Sequence, residues 1–134
     1  MLQPQSTWIT HPEADVEGLD VQVRCSYHPA ILHQAKIAIL AKIAFGKTVE
    51  PSAIPTSGIS AITAVDFEYA RLLKSTIKLL GTAALSGGKL SVYVSPVIVP
   101  LSSPLASAKG PGNMVVVNSA NLVQSTFAGP GAGR

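Results

Sequence analysis

The fold is decided by one stretch: Thr76-Ile77-Lys78-Leu79-Leu80-Gly81-Thr82-Ala83-Ala84-Leu85, then Ser86-Gly87-Gly88-Lys89, then Leu90-Ser91-Val92-Tyr93-Val94-Ser95-Pro96-Val97-Ile98-Val99. The first segment is apolar enough to be a buried strand, and the third reads as a second, longer one. Gly87-Gly88 between them suits a tight turn, because glycine reaches positive φ without steric cost. Pro96 has no N–H to give to a ladder, which places the second strand at an edge or a bulge.

Upstream of this hairpin the period is helical. From His33 to Phe45, Ile37, Leu40, Ala41 and Ala44 recur at helical spacing, Ile39 and Ile43 widen the stripe, and Gly46 stops it. Ser60 is placed to cap a second helix running to about Lys74, with the stripe Ile62, Val65, Tyr69, Leu72 and Leu73. Asp66 and Glu68 come early in that helix and Arg71 and Lys74 late, as its dipole favours. Downstream, residues 100–112 read as a Pro/Ser/Gly loop. Met114 to Asn118 and Leu122 to Phe127 read as short strands. Residues 1–11 form an irregular lead-in, 12–20 an acidic loop, and 21–32 an irregular segment broken at Tyr27-His28-Pro29. The expected fold is α+β: two main helices packed on one face of a mixed, mostly antiparallel sheet of about four strands.

The chain has 134 residues, the size of one ordinary domain. Charged residues make up 13% of it, about half the usual share of roughly 25%, which excludes a charge-solvated disordered chain and points to surface covered by something else. No apolar run approaches the roughly 20 residues of a membrane span. Residues 1–68 carry seven acids against four Lys/Arg, a net −3, whereas residues 69–134 carry six Lys/Arg and no acid, a net +6. Those six are dispersed and have few aromatic neighbours, so nucleic acid is not an expected partner. The single cysteine, Cys25, excludes an internal disulfide and any multi-cysteine metal site. His11, His28 and His33 have no metal-ligand spacing, and Cys25 has no identifiable base.

The acidic loop offers more chemistry. Asp15 and Asp20 stand five residues apart around Gly18, and a lysine-bearing helix follows. Two carboxylates and a lysine can hold a polar hydroxy amino acid and move a proton. The bland reading, a solvated acidic loop, stands beside it.

Pro12-x-x-Asp15-Val16-x-Gly18-x-Asp20 resembles the signature of homoserine dehydrogenase. Further segments follow in that family's order: Lys36-Ile-Ala-Ile-Leu-Ala, Gly58-Ile59-Ser60-x-Ile62 with Asp66 and Tyr69-Ala70, Lys78-Leu79-Leu80-Gly81, Pro104-Leu105-Ala106, and Phe127-Ala-Gly129-Pro-Gly131-Ala-Gly133. The resemblance covers residues 12–20 and about 36–133. It implies NADP- or NAD-dependent interconversion of L-homoserine and L-aspartate 4-semialdehyde, in threonine and methionine biosynthesis, by a substrate domain that also forms a homodimer through the sheet. It implies Lys36 as the proton-transfer lysine, Asp15 and Asp20 as substrate ligands, with Asp20 also catalytic, and Gly129 and Gly131 as the glycines that approach the cofactor. A cytoplasmic setting follows, or a plastid in a photosynthetic host.

The departures from the family pattern are equally specific. No G-x-G-x-x-G dinucleotide fingerprint opens the chain, so a fragment without its Rossmann domain is expected, inactive or nearly so by itself. Ile9 stands where the family has a glutamate, and Arg24 stands where spacing from Asp20 calls for the lysine. Residues 12–134 are thus read as a partial catalytic domain with 21–32 as an insertion. The alternative reading is a non-catalytic dimerisation or binding fragment of the same fold.

Overall fold

The structure is a computed structural model that describes residues 19–24, 30–108, 112–120 and 124–130. Its strands are β1 (Asp20–Arg24), β2 (Ser75–Ser86), β3 (Lys89–Pro100), β4 (Gly112–Asn118) and β5 (Ser125–Pro130). They form one sheet in the order β3-β2-β1-β4-β5, with antiparallel pairing throughout. Among the described residues the single parallel contact is an isolated bridge from Thr56 to Val94 on the β3 edge. The helices are α1 (Ala30–Phe45), α2 (Ala64–Leu72) and the short α3 (Pro104–Ser107).

The hairpin forms as its sequence dictates. Ser86 pairs with Lys89 across Gly87 (φ 56°) and Gly88 (φ 71°), and the ladder continues unbroken to Ser75 and Pro100. Pro96 sits opposite Leu79 in that ladder, on an edge strand where its missing N–H costs nothing. The helix α1 ends at Gly46, whose φ of 65° lets its N–H return 3.0 Å to the Lys42 carbonyl.

Strand alternation separates two cores. On one face α1 lays Ile37, Ala38, Ala41 and Phe45 against Val21, Val23, Ala83, Leu85, Val92 and Val94. On the other, Leu80, Val99, Met114 and Val116 pack under Leu105 of α3. The two main helices share the first face, and α+β with a mostly antiparallel sheet is the observed class.

Four local expectations are corrected. Residues 21–32 are not irregular as a whole, because Asp20–Arg24 is a central strand and Ala30–Leu32 is the first turn of α1. Among the described residues the sheet therefore has five strands, one more than the about four expected. The second helix starts at Ala64, because Thr63 and Asp66 form a reciprocal capping box that Ser60 cannot. Its stripe faces solvent, with Val65, Tyr69, Leu72 and Leu73 all more than half exposed and only Ala70 buried. Finally, the last strand runs Ser125–Pro130, so Gly129 is in a strand and not in a loop. The start of that strand expected at Leu122 lies outside the described residues, as do Asp15 and Gly131.

Candidate active site

The site candidates sit on β1, α1 and β5. Val21 and Val23 point at α1, so alternation sends Asp20, Gln22 and Arg24 to the opposite face. Asp20 pairs with Asn118 of β4, and the Asn118 Nδ2 donates to Asp20 Oδ2 at 3.2 Å. The Gln124 Nε2 donates in turn to Asn118 Oδ1 at 2.8 Å. This amide–carboxylate chain fixes the orientation of the Asp20 carboxylate. In the sequence Asn118 is only the last residue of an expected short strand; the two partners are 98 positions apart, and only the strand order joins them.

Lys36 lies elsewhere. It is half-buried on α1, in a groove of about 230 Å³ lined by Val23, Ile39, Leu40, Asn113 and Val115. At about 3.4 Å per residue, Val23 is about 10 Å along β1 from Asp20. Lys36 and Asp20 thus stand on opposite faces and toward opposite ends of the sheet, with neither hydrogen bond nor ion pair between them.

On its own face Lys36 shares its groove with β4. Asn113, which lines the Lys36 groove, is the cross-strand partner of Gly129. A Cβ added at Gly129 would meet nothing within 4 Å, so the space beside its backbone is open. Arg24, the rival of Lys36 by spacing, donates from Nη1 to the Gly112 carbonyl at 3.1 Å and ties β1 to β4. Lys78 of the Lys-Leu-Leu-Gly segment likewise donates to the Ala108 carbonyl at 3.2 Å, which anchors the turn after α3. Among the described residues no group of three or more His, Cys, Asp or Glu side chains could hold a metal ion, and no helix is long and apolar enough to cross a membrane.

Comparison with known proteins gives this arrangement its context. The sequence profile of homoserine dehydrogenase matches residues 9–134. Homoserine dehydrogenase of Mycobacterium leprae is 42% identical over 127 residues, which cover 91% of this chain and 26% of that protein. Homoserine dehydrogenase of Bacillus subtilis is 35% identical over 122 residues, covering 91% of this chain and 25% of that protein. The crystal structure of a homoserine dehydrogenase from Thiobacillus denitrificans superposes with a TM-score of 0.70 at 34% identity, over 75% of this chain and 23% of the other. That of S. aureus homoserine dehydrogenase at pH 7.5 gives 0.73 at 27% identity, over 78% and 26%. The chain belongs to the homoserine dehydrogenase family and spans about a quarter of the length of the curated relatives it matches.

Proposed function

We propose that this chain is the substrate-domain portion of a homoserine dehydrogenase, serving the NADP- or NAD-dependent interconversion of L-homoserine and L-aspartate 4-semialdehyde in threonine and methionine biosynthesis. The observation that carries the reading is the groove in which Lys36 faces Asn113, the strand partner of Gly129. Oxidising a primary alcohol to an aldehyde removes a hydride from carbon and a proton from oxygen. Lys36 takes that proton from the hydroxyl oxygen, a task for which lysine is suited because its pKa responds to burial. By resemblance Asp15 and Asp20 would hold the amino-acid end of the substrate, but Asp20 lies on the sheet face opposite Lys36, so in this chain that pairing is broken. The open backbone of Gly129, with Gly131, lets the nicotinamide approach; when bound, that group accepts or returns the hydride. Residues 12–134 form the partial catalytic domain. The segment 21–32 is an insertion that the fold has put to use, its first four residues in β1 and its last three in α1. The assembly is a homodimer through the sheet, acting in the cytoplasm or in a plastid, without nucleic acid or membrane.

A second reading applies to the chain by itself: a binding or dimerisation unit without turnover. The separation of Asp20 from Lys36 favours it.

A chimera tests the first reading. Residues 30–130 are placed in the corresponding segment of the mycobacterial relative, which keeps its own acidic motif and cofactor domain. The chimera is expected to oxidise L-homoserine, and Lys36→Ala within it to cost about 10²–10⁴-fold in kcat. A folded chimera whose rate is indifferent to Lys36→Ala contradicts the assigned role.

A further inference from the structure

The groove at Lys36 is apolar except at two points. Val23, Ile39, Leu40 and Val115 form its walls, and Lys36 and Asn113 are the polar residues that line it. Among the described residues neither the Lys36 ammonium nor the Asn113 side-chain amide has a hydrogen-bond partner. Other amides of the molecule are taken up in the fold. Gln34 donates to the Ile54 carbonyl and to Thr56 Oγ1, and Asn118 donates to Asp20.

Asn113 also breaks the pattern of its own strand. Val115 and Val117 of β4 turn toward the α1 core. Alternation places residue 113 on that same face, where a third valine would continue the floor. Asparagine is instead one of the residues strands disfavour. A position that contradicts both the pattern and the propensity of its element is where a function is expected.

The space beside this amide is open. Gly129, the cross-strand partner of Asn113, brings no side chain to that face, and a Cβ there would meet nothing within 4 Å. The groove thus offers apolar walls to the faces of a flat ring and one side-chain amide at its β4–β5 side. A primary amide presents a donor and an acceptor side by side. Its complement is another primary amide, which the nicotinamide carries on its ring. A lone hydroxyl would use one half of the Asn113 amide and leave the other unpaired.

We propose that Asn113 recognises the carboxamide of the nicotinamide and so fixes how the ring lies in the groove. Its Nδ2 donates to the carboxamide oxygen, and its Oδ1 accepts from the carboxamide NH2. This rests on the cofactor reading above and adds to it a residue that the glycine-rich segment does not mark. Gly129 leaves the space, and Asn113 gives it a direction.

Titration of the isotope-labelled 134-residue chain with free nicotinamide, followed by NMR, tests this. The Asn113 side-chain amide and the Gly129 N–H are expected to shift together and to saturate. 3-Acetylpyridine keeps the ring and the carbonyl but lacks the NH2. It should bind about fivefold more weakly, the effect of one uncharged hydrogen bond. Asn113→Leu should keep the spectrum of the folded chain and bind both probes equally, with nicotinamide weakened to the level of 3-acetylpyridine. Asn113→Thr, a better strand former, should do the same. A parent chain that binds both probes equally, or variants that keep the preference, overturn the role of Asn113 and leave the cofactor reading standing. A chain in which neither probe shifts Gly129, Leu40 or Val115 overturns both.

Discussion

A Cβ added at Gly81 would stand 3.1 Å from Ile37 Cβ, 3.1 Å from Val23 Cγ1 and 3.5 Å from the His33 carbonyl oxygen. Gly81 is therefore the point at which α1 can touch the sheet, and it gives the Lys-Leu-Leu-Gly segment a physical reason for its last residue. Gly81→Ala is expected to lower the unfolding free energy by about 1–3 kcal/mol, the usual effect of an extra carbon in a packed core, as read from the midpoint of urea denaturation. An unchanged midpoint would mean that α1 does not lie this close. The glycine itself was visible in the sequence, but its neighbours were not, since Val23 and Ile37 reach it from different elements. Asp20 is a similar case: its identity and spacing were readable, whereas its partner Asn118 depended on the sheet order.

At the scale of elements, β1 and α2 mark two ways in which sequence signals compete. Asp-Val-Gln-Val-Arg alternates polar and apolar residues without fault, the period of a half-buried strand. The breaker at Tyr27-His28-Pro29 obscured it by making the whole neighbourhood look irregular. In α2 the helical period was legible, but the direction of its stripe was not, because a periodic pattern does not say whether a partner surface exists within the chain. Its start is set by chemistry: Thr63 N donates to Asp66 Oδ2 at 2.7 Å, and Asp66 N donates to Thr63 Oγ1 at 3.4 Å. Thr63→Ala is expected to cost about 0.5–2 kcal/mol of stability, as for other N-caps. The backbone N–H of Thr63, and then its hydroxyl, hold the Asp66 carboxyl below its ordinary value of 3.8. A depressed folded pKa stabilises the protein above the unfolded value and loses that effect as the carboxyl protonates. Melting temperature should therefore fall as pH drops below 3.8, and less steeply in Asp66→Asn than in the parent. Parallel pH profiles for the two proteins would show that this cap adds nothing.

For the whole molecule, sequence order and spatial order diverge. The hairpin β2–β3, the two main helices and their common face were readable from local periods. The insertion of β1 between β2 and β4 was not, because its neighbours lie about 60 and 94 positions downstream and no local pattern encodes that pairing. This central strand also decides the chemistry. It points Asp20 away from α1, while Lys36 shares its groove with Asn113, the partner of Gly129. Holding reactants in productive geometry is worth about 7–11 kcal/mol of a barrier, and a carboxylate on one face of a sheet cannot position a substrate for a lysine on the other. The most direct test is to incubate the purified chain with L-homoserine and NADP or NAD and follow the absorbance of the reduced nicotinamide. The account predicts no turnover above the rate without protein, and no difference between the parent and Lys36→Ala. Turnover that requires L-homoserine and disappears in Lys36→Ala would contradict it.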